Sequence, residues 1–148
     1  MAALLVSDVF PPRRGLGAKV LVAEDHEDTR YLLRTLLERR GFSVVEAGDG
    51  FEAVDVAERE RPDLILIDGG LPRLDGIAAT RRLRGLPALT AVPIVFLSGH
   101  GGQQHQAAAR DAGCDDYIVK PFDFALLENV LARHLRARRG HSTRGFEE

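Results

Sequence analysis

Cysteine is nearly absent from this sequence: Cys114 is the only one among 148 residues. A single thiol excludes an internal disulfide and a cysteine-rich zinc site, and it fits a reduced intracellular setting. Long apolar runs are missing too. None approaches the roughly 20 residues that cross a bilayer, and the apolar start from Ala2 to Phe10 is broken by Ser7 and Asp8. That start has neither the positive flank nor the small-residue cleavage site of a secretory signal. A cytoplasmic location with no membrane attachment is therefore expected. An excess of one charge is also missing. The formal net charge is −2, which argues against the domain as a whole binding nucleic acid. What is there is 45% hydrophobic and 28% charged residues. That mixture suits one globular domain with a single sizeable core, and the length excludes a large two-domain enzyme.

Residues 1–17 end in two prolines and two glycines, from Phe10 to Gly17, and read as a turn-rich lead-in. A regular alternation occupies residues 18–138. Short apolar runs at Lys19–Ala23, Phe42–Ala47, Asp63–Ile67, Ala91–Leu97 and Asp116–Val119 read as strands. Between and after them lie amphipathic stretches at Asp28–Arg40, Phe51–Glu60, Gly76–Leu86, Gln103–Ala112 and Phe122–Arg138. Leu32, Leu33, Leu36 and Leu37 form the apolar stripe of the first helix. Phe51, Val54 and Ala57 lie on one side of the second, and Leu126, Leu127, Val130, Leu131 and Leu135 form the stripe of the last. Strands alternating with helices predict an α/β fold, a doubly wound five-stranded parallel sheet with helices on both faces. Residues 139–148 belong to an Arg-rich, then acidic, tail that reads as a frayed end or a linker.

In an open parallel sheet, ligands gather beyond the carboxyl ends of the strands. Glu24 and Asp25 follow strand one, Asp68 follows strand three, Ser98 follows strand four, and Lys120 and Pro121 follow strand five. Three carboxylates, a hydroxyl and an ammonium are thus expected on one edge. Carboxylates so crowded repel one another. A hard divalent cation such as Mg²⁺ resolves the conflict, because it prefers oxygen ligands. An ionised carboxylate held in line with a phosphoryl donor is a nucleophile that can form an acyl phosphate. Lys120 and the metal would neutralise the phosphoryl oxygens, and Ser98 would donate to the group once it arrives. Only two of the 20 basic side chains are lysines, Lys19 and Lys120. A compact ammonium on a flexible stem is a different tool from a planar guanidinium.

Each residue alone also has a plain structural reading. Glu24 and Asp25 would suit a helix N-terminus, Asp68 a turn, Ser98 a loop hydroxyl, Lys120 a solvated charge and Tyr117 the core. His26 is expected near the acidic group without being a metal ligand, Cys114 as a small buried hydrophobe. Arg133, Arg136, Arg138 and Arg139 are expected as a solvated helix face.

The segments Val20–Asp25, Leu64–Asp68, Leu71–Gly76, Ile94–Gly99 and Gly113–Phe122, in this order and spacing, resemble the receiver domains of two-component response regulators, including the chemotaxis type. The resemblance spans about residues 18–138. It implies the flavodoxin-like strand order 2-1-3-4-5 and a phosphoryl group passed from a histidine kinase, or a phosphotransfer protein, to Asp68. It further implies Mg²⁺ held by Glu24, Asp25, Asp68 and the Gly70 carbonyl, with Asp25 the more direct of the acidic pair. Lys120 pairs with Asp68 or its phosphoryl group, Ser98 and Tyr117 act as a switch pair, and the Lys120–Pro121 bond is cis. The output surface would be helix four, strand five and helix five, where an unnamed partner or a homodimer could form.

Gly69, Gly70 and Gly99 depart from the family pattern and are expected to widen the site. His100 stands where the family tunes phosphoryl lifetime. Two other functions compete. A Mg²⁺-dependent aspartate-nucleophile phosphohydrolase would want a second aspartate where Gly70 stands, and a cap domain that this length does not hold. A phosphorylation-independent interaction module would not need the acidic cluster. About ten residues after the last helix leave no DNA-binding output domain within this chain, which reads as a free-standing receiver or one cut from a longer protein.

Overall fold

The computed structural model describes residues 17–147, with residues 138–147 described by their helical backbone alone. The strands are β1 (Lys19–Ala23), β2 (Ser43–Ala47), β3 (Leu64–Asp68), β4 (Ile94–Ser98) and β5 (Asp116–Val119). The helices are α1 (Glu27–Arg39), α2 (Gly50–Glu60), α3 (Gly76–Arg84), α4 (Gln103–Ala112) and α5 (Phe124–Glu147), with a 3-10 turn at Pro87–Leu89. All strand pairs are parallel and the order is β2-β1-β3-β4-β5, the flavodoxin-like arrangement expected. No helix among the described residues is long and apolar enough to cross a membrane.

The central strands β1, β3 and β4 are apolar on both faces because each face has its own helical layer. Alternate residues separate cleanly. Leu21, Ala23, Ile65, Ile67, Ile94 and Phe96 pack under α2, α3 and α4, against Ala53, Val56, Ala57, Ala79, Leu83 and Ala109. Val20, Val22, Leu64, Leu66, Val95, Leu97 and Ile118 pack under α1 and α5, against Leu33, Leu37, Leu127, Val130 and Leu131. This is the period-two side-chain alternation of a strand, used on both sides at once. Cys114 is buried in the first of these layers, where burial pushes its thiol up to about 11.

The element boundaries differ from the sequence reading where local chemistry intervenes. β4 starts at Ile94 rather than Ala91, because Pro93 has no N–H for the ladder. α3 stops at Arg84 rather than Leu86: Leu86 precedes Pro87 and is forced out of the helical region, at φ −84° and ψ 126°. Asp68 and Ser98 are the last residues of β3 and β4, not the first residues beyond them. α5 starts at Phe124, where the Asp123 carboxylate accepts from Leu126 N–H at 2.8 Å, and its helical backbone runs past Arg138. The expected lead-in lies, Gly17 apart, outside the described residues.

Two apolar stripes are narrower than periodicity suggested. Leu32 is 56% exposed and Leu126 46% exposed, so the buried rows of α1 and α5 are Leu33, Leu37 and Leu127, Val130, Leu131. Phe51 is also exposed. It is flanked by the guanidinium groups of Arg73 and Arg82, 5.5 and 5.2 Å from the ring centroid, while Ala53, Val56 and Ala57 face the core. Arg133 and Arg136 are exposed as expected; the Arg138 and Arg139 side chains lie outside the described residues.

Candidate functional site

The strand registers bring the carboxyl ends of β1, β3, β4 and β5 to one level: Ala23 pairs with Ile67, Asp68 with Leu97, and Ser98 with Val119. Glu24 continues β1 by donating its N–H to the Ala47 carbonyl at 3.0 Å. Lys120 continues β5 by donating its N–H to the Ser98 carbonyl at 2.7 Å. The Lys120–Pro121 bond is cis. Backbone pairing thus brings Glu24, Asp68, Ser98 and Lys120 to one edge of the sheet.

Asp68 is buried, and both of its oxygens are engaged. Oδ2 accepts from Gly70 N–H at 2.9 Å, and Oδ1 accepts from the Lys120 ammonium. The same ammonium lies 3.5 Å from Glu24 Oε1. Burial by itself would lower the pKa of Lys120. The hydrogen bond and charge of Asp68, and then those of Glu24, outweigh it and hold the ammonium above the ordinary lysine value. Glu24 is almost fully buried, and its Oε2 takes His26 N–H at 3.0 Å with His26 Nδ1 at 3.1 Å. The exposed His26 ring is raised above its usual pKa, first by the hydrogen bond to Glu24 and then by the charge of Asp25.

Asp25 Oδ1 is shielded from solvent and lacks a hydrogen-bond partner, with the His26 ring nitrogen 3.5 Å away. A charged oxygen in that condition is costly unless a cation meets it. Glu24, Asp25 and His26 each bring a potential ligand atom within 4.8 Å of the others. The oxygen-rich donor set fits a hard divalent ion.

The glycines behave differently from one another. A Cβ on Gly70 would stand 3.4 Å from Asp68 Oδ2, so glycine leaves space directly over the carboxylate. A Cβ on Gly99 would meet nothing within 4 Å. Gly69 does not widen the site as expected: a Cβ there would lie 2.7 Å from the buried Phe96 ring, which already fills that space. Gly76, which the sequence reading did not single out, lets α3 start directly against β3. Its Cβ would lie 2.5 Å from the Asp68 carbonyl oxygen.

Ser98 is buried, and its Oγ accepts from His100 N–H at 3.0 Å. Tyr117 is half-buried. Its ring stacks on Phe96 at 5.4 Å and 12°, and its hydroxyl donates to the His100 carbonyl at 2.6 Å. His105, also not singled out from sequence, lies with Nδ1 2.6 Å from that hydroxyl. Nothing in the polar start of α4 distinguishes this histidine; only the fold brings it to Tyr117. Beside the site, α1 and the segment after β5 enclose a groove of about 360 Å³, lined by Glu24, Leu32, Leu36, Lys120, Pro121 and Phe124 among others.

Comparison with known proteins agrees with this geometry. A family model described as response regulator receiver domain matches residues 20–132. Response regulator MprA of Mycobacterium tuberculosis is 40% identical over 118 residues, covering 80% of this chain and 49% of that protein. The chain spans about half the length of the curated relatives it matches. Among solved structures, the receiver domain of sensor histidine kinase PA1611 from Pseudomonas aeruginosa, with a magnesium ion in its active site cleft, is 37% identical. It covers 80% of this chain and 98% of that one, with a TM-score of 0.75. The beryllofluoride-activated receiver domain of RstA from Klebsiella pneumoniae is 33% identical, covering 80% and 98%, with a TM-score of 0.72.

Proposed function

Because the chain belongs to the response regulator receiver family of two-component signalling, we propose that it accepts a phosphoryl group on Asp68 from a phosphohistidine. The donor is a histidine kinase or a phosphotransfer protein. The observation that supports this most is Asp68 itself: a buried carboxylate at a strand end, held between an ammonium and a backbone N–H.

In the reaction, an Asp68 carboxylate oxygen attacks phosphorus. The new O–P bond forms as the N–P bond of the phosphohistidine breaks, and the imidazole leaves with the electron pair. Gly70 N–H orients the carboxylate, and its missing side chain leaves room for the incoming group. Lys120 stays with the charge as it passes to the phosphoryl oxygens. Glu24, Asp25, Asp68 and the Gly70 carbonyl would hold Mg²⁺, which supplies further neutralisation of those oxygens when bound. Ser98 would turn its hydroxyl to the phosphoryl group and Tyr117 would move with it, biasing a two-state equilibrium on the α4-β5-α5 face. An output partner, or a second copy of the chain, would read that face.

The groove beside Lys120 and the exposed Tyr31 and Leu32 on α1 suit an apolar donor helix bringing its histidine to the site. The protein is then a cytoplasmic signalling receiver, assisting its own phosphorylation and dephosphorylation and turning over no separate substrate. The test is incubation with Mg²⁺ and acetyl phosphate, read by intact mass. A phosphoryl adduct absent from Asp68→Ala is the expected result. An undiminished adduct in that variant, or steady turnover of a phosphomonoester, would reject the reading.

A further inference from the structure

Two histidines meet where the loop after β4 enters α4. The rings of His100 and His105 lie with centroids 4.8 Å apart and planes tilted by 32°. His105 Nδ1 stands 2.6 Å from the Tyr117 hydroxyl. That hydroxyl has one proton, and the His100 carbonyl, which can only accept, stands 2.6 Å away. His105 therefore donates from Nδ1, which leaves the lone pair on Nε2. Neither His105 Nε2 nor either ring nitrogen of His100 has a hydrogen-bond partner among the described residues.

Plain stacking of two imidazoles accounts for the distance alone. Two further observations point to a ligand between them. First, two imidazoles on one tetrahedral zinc ion, each nitrogen about 2.1 Å from the metal, put their ring centres about 5 Å apart, which is the spacing seen here. Second, a histidine that ligates a metal almost always gives its other ring N–H to a fixed acceptor, and His105 does so with Tyr117. Its ring is also held from the side, since the fully buried Phe96 lies edge-on to it, with centroids 6.1 Å apart, and stacks on Tyr117. His100 has an exposed ring on a backbone fixed at both groups, its N–H on Ser98 Oγ at 3.0 Å and its carbonyl on the Tyr117 hydroxyl.

We propose that His100 and His105 are a binding site for a transition-metal ion of the zinc class, with His105 ligating through Nε2 and Tyr117 as the positioning residue that holds its ring. Imidazole suits zinc, copper and nickel, whereas magnesium takes oxygen ligands. The pair is therefore chemically separate from the carboxylates around Asp68 and does not depend on the phosphoacceptor reading. Two protein ligands leave the other tetrahedral positions to water. A bound ion would tie the β4–α4 loop to the first turn of α4.

The full chain is titrated with Zn²⁺ at a constant, saturating Mg²⁺ concentration, in a His26→Ala background that removes the histidine beside the carboxylates. Calorimetry gives the affinity, and proton–nitrogen NMR of the imidazoles identifies the ligating nitrogen. The expected result is zinc binding that moves the ring signals of both His100 and His105, with His105 ligated at Nε2. His100→Ala and His105→Ala should each weaken binding about tenfold or more, and Tyr117→Phe, which keeps both imidazoles, about tenfold. The His100 ring is exposed, so a loss of affinity in His100→Ala is not a loss of folding. Zinc that leaves either ring unmoved, or that binds His100→Ala undiminished, overturns the site. So does binding that disappears in Asp25→Asn instead, which would place the ion among the carboxylates. Ligation of His105 at Nδ1, or undiminished affinity in Tyr117→Phe, overturns the assignment as stated.

Discussion

At the amino edge of the sheet, Arg84 spreads one guanidinium over the carbonyls of Leu89, Thr90, Val92 and Gly113 and the carboxylate of Asp115. Asp115 in turn takes Ile94 N–H at 2.8 Å, and Asp116 is met by Arg133 and by His134 at 3.1 Å. At the carboxyl edge, Glu24 and Asp68 share the single ammonium of Lys120, and Asp25 Oδ1 has no hydrogen-bond partner, only the His26 ring 3.5 Å away. The same chemical groups serve opposite ends. Where each charge is matched, the edge is a clamp that closes strand and helix ends. Where negative charge exceeds positive, the edge is a site prepared for a cation and a phosphoryl group, and its stability is given up for reactivity.

The largest effect that would sharpen this contrast is expected from Arg84→Ala. It strips the amino edge of every bond that Arg84 makes and leaves part-buried carbonyls unpaired, at a cost of about 3 kcal/mol and a melting temperature lower by about 10 °C. Beryllofluoride affinity should stay at the parental value; a large loss of affinity would mean that the two edges are not separable. Asp25→Asn is expected to behave in the opposite way. Without Mg²⁺ it should melt no lower than the parent, because like charge has been relieved. The parent should gain about 1.4 kcal/mol from Mg²⁺ at ten times its dissociation constant, and the variant almost nothing. Calorimetry with and without Mg²⁺ reads both.

The smallest effect concerns pH. Burial would raise the Asp116 carboxyl, but bonds from His134, Tyr117 N–H and Arg133 hold it below the ordinary aspartate value. Its contribution is present above that ordinary value and is lost as pH falls through the lowered one. Lys120 is held above the ordinary lysine value, so its contribution is present below that value and is lost as pH rises through the raised one. Asp116→Asn should therefore cost less than about 1 kcal/mol at neutral pH and nothing in strong acid. Lys120→Met should lose its pH-dependent difference only in strong alkali. Urea unfolding at several pH values checks the pair, and a site edge that failed first in acid would break the comparison.

Most of the architecture was legible because a doubly covered parallel strand leaves an unmistakable trace: five short apolar runs, bounded by charged, glycine or hydroxyl residues. Glu24, Asp25, Asp68, Ser98 and Lys120 stand out simply as the polar side chains at the carboxyl ends of those runs. The features that escaped depended on contacts between distant segments. Leu32 and Leu126 have helical spacing, yet no helix among the described residues covers them, and they stay exposed. Gly69 looked like an opening because a missing side chain shows in a sequence and the Phe96 ring that fills its place does not. His105 resembled any polar residue in a first helical turn until β5 brought Tyr117 against it.

The close fit of Phe96 under Gly69 also constrains how this protein can change by descent. A side chain at position 69 requires that position 96 shrink first, since the reverse order passes through an overpacked intermediate. Among natural variants, bulk beside the acidic strand end should therefore trade against bulk on the neighbouring strand. Lineages that keep this phenylalanine should keep the glycine with it.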